Sequence, residues 1–456
     1  MLNRTLLATA VLSLSTAALA DKGPGGGNDN NRKWVASWTT SPQNVFTGSG
    51  TVQTAALVNF AFPPAAGAAF NAPRSAQNQT LRMIVKPDIW SDTMRIRLSN
   101  TYGTAPITFG HVAIGLQSFS GATVQGSNRR VTFGGKSSVT VPAGAEMFSD
   151  AVRVDWASGG DDDHADSAVE GRNLAVSMFL PGTQGPMTFH GTALQESFIG
   201  APGSGDHAEE DVDDNYPYET SSWFFVDAVD VMAPSDTRVL VGAGSSSVDG
   251  SITTPGNNDR FLNWMSRKLH EAFGQHVSVV NEGIGGDVAA TPGPGQTRPL
   301  PQVLPERFDR DILGVSGATD VLFYAGTNDI GDGIPSAQSI ASLQSMVAKL
   351  HARGIKAVGG TLITNVGQAG TNAATYTAHN DINQFILARG NFDSTADFYN
   401  KTRDPLNTDF LTTTLQLQYA THSDPTGTPD FLHLGRAGAE AEAATLDLSF
   451  FKPARR

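Results

Sequence analysis

The sequence Gly-Ser-Ser-Ser-Val-Asp-Gly occupies residues 244–250, directly after the apolar run Val-Leu-Val at residues 239–241. The apolar run predicts a buried strand, and residues 258–273 have the apolar spacing of a helix. A turn of small residues between a strand and a helix can hold a serine in the open, where the helix N-terminus offers unpaired N–H groups to an anion. This pattern suits acyl transfer by a serine. Gly and Ser are also ordinary turn residues, so the motif alone leaves both interpretations open.

From residue 237 onward, short apolar runs alternate with helical patterns. Strands are predicted at 277–280, 321–324 and 357–363, and helices at 258–273, 336–350, 380–387 and 437–448. Such alternation indicates a parallel sheet covered by helices on both faces. In sheets of this kind the active groups gather in the loops at the carboxyl ends of the strands.

The preceding part of the chain, residues 33–231, predicts a different architecture. Met94, Ile96 and Leu98 alternate with arginines, and residues 112–116 and 174–178 repeat this period of two. Turn sequences separate these runs. Many short strands with few helical patterns indicate an all-β sandwich that resembles a jelly roll. We therefore predict a β-sandwich region at 33–231 followed by an α/β region at 237–456.

The N-terminus has the pattern of an export signal. Arg4 precedes the apolar residues 6–14, and Ala-Leu-Ala at residues 18–20 fits a cleavage site, so residues 1–20 are predicted to be a signal peptide. Residues 21–32 are rich in Gly and Asn and predict a flexible lead. The chain contains no cysteine, which excludes disulfides. An exported chain without cysteine indicates a secreted or periplasmic bacterial protein.

The net charge of the chain limits the classes of binding partner. The 456 residues carry a formal net charge of -13, which disfavours nucleic acid and anionic membrane surfaces. No apolar run is long enough to predict stable membrane insertion. The acidic runs at 161–166 and 209–214 do not follow the calcium-loop pattern, so we expect solvated loops there. No histidine spacing indicates zinc, and we predict no metal and no cofactor.

Three further sequences meet the remaining needs of ester cleavage. They are Asn-Glu-Gly-Ile-Gly-Gly-Asp at 281–287, Ala-Gly-Thr-Asn-Asp at 325–329 and Asp-Phe-Leu-His at 430–433. A histidine can accept the proton of a serine near neutral pH, and a carboxylate can orient that histidine. A glycine N–H and an asparagine amide can donate to an oxyanion, and one such donor is worth roughly 3 kcal/mol of barrier.

Taken together and in this order, the four sequences resemble the SGNH (GDSL) hydrolase family of serine esterases and lipases. The resemblance covers residue 237 to the C-terminus and implies a three-layer α/β/α domain that needs no metal. The β region is similar to a sandwich module fused to some bacterial members. The resemblance also implies the site residues: Ser246 as nucleophile and one oxyanion donor, Gly286 and Asn328 as the other oxyanion donors, His433 as base and Asp430 as the acid that orients it.

One position departs from the family pattern, because Ser245 stands where the family usually has Asp. Asp249 and Gly250 align Ser246 with the nucleophile of the family sequence Gly-Asp-Ser-x-x-Asp-Gly, and Ser245 remains the alternative. His422, two residues before Asp424, is an alternative to the assigned base. The departure also keeps open a carbohydrate-binding protein with impaired catalysis.

The sequence therefore predicts a secreted or periplasmic serine hydrolase of carboxylic esters that forms an acyl-enzyme on Ser246. Secretion and a β-sandwich favour short-chain acyl esters such as acetylated saccharides, by analogy at the level of the fold. A lysophospholipase or lipase of the same family is the alternative. The expected partner is a small-molecule or saccharide ester, and the sequence leaves the oligomeric state open.

Overall fold

The computed structural model describes residues 31–44, 75–157, 169–293, 303–368, 370–407, 409, 412–422 and 429–452. The signal peptide predicted at 1–20, all but the end of the lead at 21–32 and the acidic run at 161–166 lie outside the described residues. The described residues from Arg32 onward belong to one compact unit.

The first half of this unit is antiparallel β-structure, as the alternating sequence pattern predicts. Its strands are β1 (Arg32–Thr39), β2 (Gln43–Asn44), β3 (Ala76–Val85), β4 (Thr93–Ser99), β5 (Ile107–Phe109), β6 (His111–Leu116), β7 (Arg129–Val131), β8 (Val139–Val141), β9 (Glu146–Phe148), β10 (Val152–Arg153), β11 (Leu174–Gln184), β12 (Thr188–His190), β13 (Ser197–Ile199), β14 (Tyr218–Thr220), β15 (Trp223–Phe224) and β16 (Val226–Pro234). One large sheet has the order β1-β16-β4-β10, with β9 also paired to β4, and the other has the order β14-β13-β3-β11-β6-β7. Strands β15-β12-β2 and β5-β8 form smaller sheets.

The long strand β3 shows how side-chain alternation builds two packed faces. Leu81 and Met83 belong to the main core, whereas Ile84 packs on the opposite face in a separate small cluster. Arg82 lies on that opposite face and is fully buried, with its guanidinium 4.2 Å from the ring centre of Tyr216. Both faces of this sheet are therefore covered.

The acidic run at 209–214 is held by donors of the β region. Glu209 pairs with Arg130 at 2.8 Å, and Asp211 accepts a hydrogen bond of 2.8 Å from the side chain of Asn128. The backbone carbonyl of Glu210 accepts from Arg82 at 2.6 Å. These contacts attach the run to the sheet, while the side chains of Glu209 and Glu210 stay 41% and 39% exposed, so the run is a solvated loop with fixed contacts.

The second half has the predicted alternation of strands and helices. The parallel sheet has the order β18-β17-β19-β20-β21 and is covered by helices on both faces, which gives the three-layer α/β/α fold. No helix in the described parts of the chain has the length and apolar character needed to cross a membrane. The strands are β17 (Arg238–Gly244), β18 (Val277–Gly283), β19 (Asp320–Tyr324), β20 (Lys356–Gly360), β21 (Ser394–Ala396), β22 (Ala420–His422) and β23 (Pro429–Leu434). The α-helices are α1 (Ser246–Asp249), α2 (Phe261–Phe273), α3 (Leu304–Arg307), α4 (Thr327–Gly331), α5 (Ser336–His351), α6 (Ala373–Leu387), α7 (Phe398–Thr402) and α8 (Arg436–Ala443).

Strand β1 lies beside β18, the outer strand of the parallel sheet. The hydroxyl of Ser278 donates to the carbonyl of Ala36 at 2.7 Å, and the hydroxyl of Thr39 donates to the carbonyl of Asn281 at 3.3 Å. Apolar residues of both regions belong to one continuous core. The β region and the α/β region are therefore joined by side-chain hydrogen bonds between β1 and β18 and by a shared apolar core.

Candidate active site

The register of the parallel sheet brings three of the predicted sequences to one edge. Strand β17 pairs with β18 and with β19, and Gly244 lies opposite both Gly283 and Tyr324. Because all three strands run in the same direction, the residues that follow them leave the sheet at the same end. This places the turns at residues 245–250, 284–287 and 325–328 next to one another.

The nucleophile turn, residues 245–250, is shaped by close backbone contacts. A Cβ atom on Gly244 would lie 2.1 Å from the carbonyl oxygen of Tyr324, so only glycine fits there. Helix α1 is a single turn in which the N–H of Asp249 donates to the carbonyl of Ser245 at 2.9 Å, and Gly250 ends it with φ of 99°. Ser246 is therefore the first residue of a short helix that follows a buried strand directly.

Strand β23 brings His433 to this turn. The Nε2 atom of His433 lies 2.8 Å from the Oγ atom of Ser246. A serine hydroxyl has one proton to donate, so a ring nitrogen at this distance has the geometry of a general base. Asp430 lies on the same strand, but its side chain is outside the described residues, as is that of His422. Asp424 is likewise outside them.

The other two predicted oxyanion donors lie in neighbouring turns. Gly286 follows β18 with φ of 80°, a conformation that favours glycine, and Asn328 lies in the first turn of α4. The side-chain amide of Asn328 donates to the carbonyl of Asp287 at 2.9 Å. This bond ties the asparagine amide to the turn that contains Gly286.

A buried arginine links two of these segments through hydrogen bonds. Arg307 donates to the carboxylates of Asp287 at 2.8 Å and Asp311 at 3.2 Å. It also donates to the carbonyl of Gly244 at 3.3 Å and to the hydroxyl of Ser41 at 2.6 Å. The guanidinium presents several donors in a fixed plane, so it fixes the end of β17 relative to the turn after β18. Its contact with Ser41 reaches into the β region.

Sequence reasoning missed the contacts of Arg307 and also a second supporting contact, that of His190. His190 of β12 contacts Asp249 of the nucleophile turn, and neither His190, Ser41 nor Arg307 belongs to a motif. These residues are brought to the site by the packing of the β region on the α/β region. A single sequence carries no local signal for contacts of that kind.

Glu442 of α8 is a buried carboxyl group behind the nucleophile turn. Burial raises the pKa of Glu442 to about 8, although a hydrogen bond from the Tyr324 hydroxyl opposes the shift. The Tyr324 hydroxyl also interacts with Ser247, which follows the predicted nucleophile. Glu442 and His433 border the same small cavity of about 20 Å³. A carboxyl group that is neutral at pH 7 is thus part of the packing behind the site.

Replacing Glu442 by glutamine should make stability less dependent on pH. Because the pKa of Glu442 is raised on folding, the folded state holds a proton that the unfolded state has lost between about pH 4.5 and about pH 8. The wild type should therefore lose up to ~1.4 kcal/mol of unfolding free energy per pH unit across this window through this one group. The Glu442→Gln variant should not show this loss, as measured by urea unfolding from pH 5 to pH 8.

The matched control is Glu440→Gln, because Glu440 is exposed on the same helix. The difference in unfolding free energy between Glu442→Gln and wild type should grow with pH, whereas Glu440→Gln should follow the wild type. A difference for Glu442→Gln that stays constant from pH 5 to pH 8 would contradict the raised pKa.

Comparisons with known proteins concern the α/β region. Residues 243–441 match the model of the GDSL-like lipase/acylhydrolase family. No curated protein matches the chain in sequence. Solved structures that resemble it include an acetylxylan esterase from Geobacillus stearothermophilus, with 18% identity over 46% of this chain and 91% of that chain and a TM-score of 0.32. A GDSL-like lipase from Bacteroides thetaiotaomicron has 16% identity over 46% of this chain and 85% of that chain, with a TM-score of 0.32.

Proposed function

We propose that the protein is a serine hydrolase of carboxylic esters, because residues 243–441 match the model of the GDSL-like lipase/acylhydrolase family. The observation that carries the proposal is the distance of 2.8 Å between Ser246 Oγ and His433 Nε2. A hydroxyl becomes a useful nucleophile at neutral pH only when a base can take its proton. The convergence of the three loop segments at one end of the parallel sheet supports the same assignment.

In the proposed mechanism, Ser246 Oγ attacks the carbonyl carbon of the ester while its proton moves to His433 Nε2. The resulting oxyanion accepts hydrogen bonds from the N–H groups of Ser246 and Gly286 and from the side-chain amide of Asn328. The intermediate collapses, and His433 returns the proton to the departing alkoxide. A water then attacks the acyl-enzyme while its proton moves to His433, and His433 returns that proton to Ser246 Oγ as the acid leaves. Asp430 would orient the ring of His433 throughout.

We further propose that the substrates are short-chain acyl esters, such as acetylated saccharides, and that the protein is exported by its signal peptide. The net charge of -13 disfavours residence on anionic membrane surfaces, where a phospholipase would work. An acetyl group also demands little space beside the serine.

Assays on nitrophenyl acetate, nitrophenyl decanoate and acetylated xylan test this substrate class. The proposal expects the highest kcat/KM on the acetyl esters, with acetate released from the polysaccharide. Preference for decanoate would favour a lipase instead. A chain that a fluorophosphonate probe fails to label, and that binds xylan without cleaving it, would be a carbohydrate-binding protein with impaired catalysis.

Replacing Asn328 by alanine should lower kcat for nitrophenyl acetate by roughly 10²–10³-fold, because one donor to the oxyanion is lost where charge develops. KM should change little, since the ground-state carbonyl carries less charge than the intermediate. Steady-state kinetics on the purified variant measure both. An unchanged kcat would remove Asn328 from the oxyanion site.

A further inference from the structure

Strand β12 places a buried histidine of the β region against the nucleophile turn. His190 Nε2 lies 3.1 Å from Asp249 Oδ1, and His190 Nδ1 lies 2.9 Å from the carbonyl oxygen of Ser41. His190 and Asp249 are each 3% exposed. The ring also packs near Trp223, with ring centres 5.7 Å apart. The contact is thus a shielded, specific link between the two halves of the chain.

The hydrogen-bond partners fix the orientation of the His190 ring. A carbonyl oxygen only accepts, so Nδ1 donates to the carbonyl of Ser41. The second ring nitrogen, Nε2, then faces the carboxyl group of Asp249 and shares a hydrogen bond with it. Removing the histidine would leave the Asp249 carboxylate without this partner.

Asp249 in turn connects the two turns that are proposed to carry the chemistry. Its Oδ2 atom accepts from the N–H of Gly285 at 2.9 Å, next to the predicted oxyanion donor Gly286. Its own backbone belongs to α1, three residues after Ser246. One carboxylate therefore fixes the nucleophile turn relative to the turn after β18, and His190 fixes that carboxylate.

We propose that His190 is a positioning residue of the hydrolase site, which sets the distance between Ser246 and the oxyanion donors by holding Asp249. The inference rests on the proposed function. It gives the β region an indirect part in the reaction, because the imidazole that holds Asp249 comes from β12. Ser41 makes the same connection from its other side: its carbonyl accepts from His190, and its hydroxyl accepts from Arg307, which holds Asp287.

The variant His190→Ala should lower kcat for nitrophenyl acetate by roughly 10- to 100-fold, because a displacement of about 1 Å between reacting groups costs up to ~10²-fold. KM should stay within about twofold, since the ester itself does not touch His190. The ring borders a crevice of about 240 Å³ between the β region and α2, so water can reach Asp249 in the variant and the fold should persist. Labelling by a fluorophosphonate probe should slow in parallel with kcat.

Two further variants separate positioning from a general loss of structure. His190→Gln retains an amide that can donate to Asp249, so it should recover part of the activity lost in His190→Ala. The matched control is His111→Ala, because the ring of His111 pairs with Asp206 and Glu209 of the β region, and it should leave kcat unchanged. If His190→Ala does not fold, His190→Gln is compared instead with the double variant that carries both His190→Gln and Asp249→Asn. That double variant should be no slower than Asp249→Asn alone.

The inference and the proposed function fail in different ways. If Ser246→Ala abolishes hydrolysis while His190→Ala keeps kcat within twofold of the wild type, the positioning role is wrong and the hydrolase assignment stands. A decrease in kcat for His190→Ala that His190→Gln does not relieve, with an equal decrease for His111→Ala, would also overturn the positioning role. If Ser246→Ala retains activity, the proposed function itself fails.

Discussion

The Ser246→Ala variant is expected to hydrolyse nitrophenyl acetate about a million-fold more slowly than the wild type, because the acyl-enzyme cannot form without the hydroxyl. The distance of 2.8 Å from Ser246 Oγ to His433 Nε2 is the reason that this serine, among its neighbours, is expected to react. The measurement is kcat on the purified variant, with its thermal midpoint to show that it is folded. Fluorophosphonate labelling of the variant should be lost at the same time.

The adjacent Ser245 provides the matched control. Ser245 immediately precedes α1 and is 6% exposed. The Ser245→Ala variant should keep fluorophosphonate labelling and most of the activity. The opposite result, with activity lost in Ser245→Ala and kept in Ser246→Ala, would show that the motif is shifted by one residue. It would also mean that His433 has a role other than base.

The second large effect is expected for His433→Ala, which should also reduce kcat by about a million-fold. Without the imidazole, the Ser246 hydroxyl keeps its proton during attack, and no group returns a proton to the leaving alkoxide. Both steps of the reaction fail for the same reason. Stopped-flow and steady-state measurements should detect neither an acyl-enzyme burst nor turnover above the residual rate.

His422→Ala is the control for this prediction, since His422 lies on the adjacent strand β22 and was the alternative base. It should retain activity within a few-fold of the wild type. Loss of activity in His422→Ala, with His433→Ala still active, would exchange the roles of the two histidines. Asp430→Ala should be less severe than His433→Ala, because the imidazole remains even when its orienting acid is removed.

The fold of the α/β region was predictable because its signals are local. Strand–helix alternation from residue 237 is a property of short windows, and the family match and the parallel sheet confirm the predicted class. Boundaries were less accurate. The helix predicted at 380–387 begins at Ala373, because the side chain of Asn372 caps it by accepting from the N–H groups of Ala374 and Thr375. The first turns of this helix contain polar residues, so the apolar repeat that predicts a helix is not visible there in the sequence.

The site was predictable only in part, for a physical reason. The turns after β17, β18 and β19 follow from the order of parallel strands, so their proximity could be expected from sequence. The contact of His190 with Asp249 joins residues 59 positions apart, one on strand β12 and the other on helix α1. Its existence depends on how two folded regions pack, which no periodicity in a single sequence encodes. The roles of Ser246, His433, Gly286, Asn328 and Asp430 stay predictions until the variants are measured.

The position of β1 beside β18 has a consequence for protein engineering. Strand β18 ends the parallel sheet, and β1 lies beside it, held by hydrogen bonds that involve Ser278 and Asn281. A fragment that begins near residue 237 would leave this strand uncovered, and uncovered sheet margins recruit other chains into aggregates. The α/β region should therefore not be produced without the β region, and fusions or truncations of this protein should carry both halves.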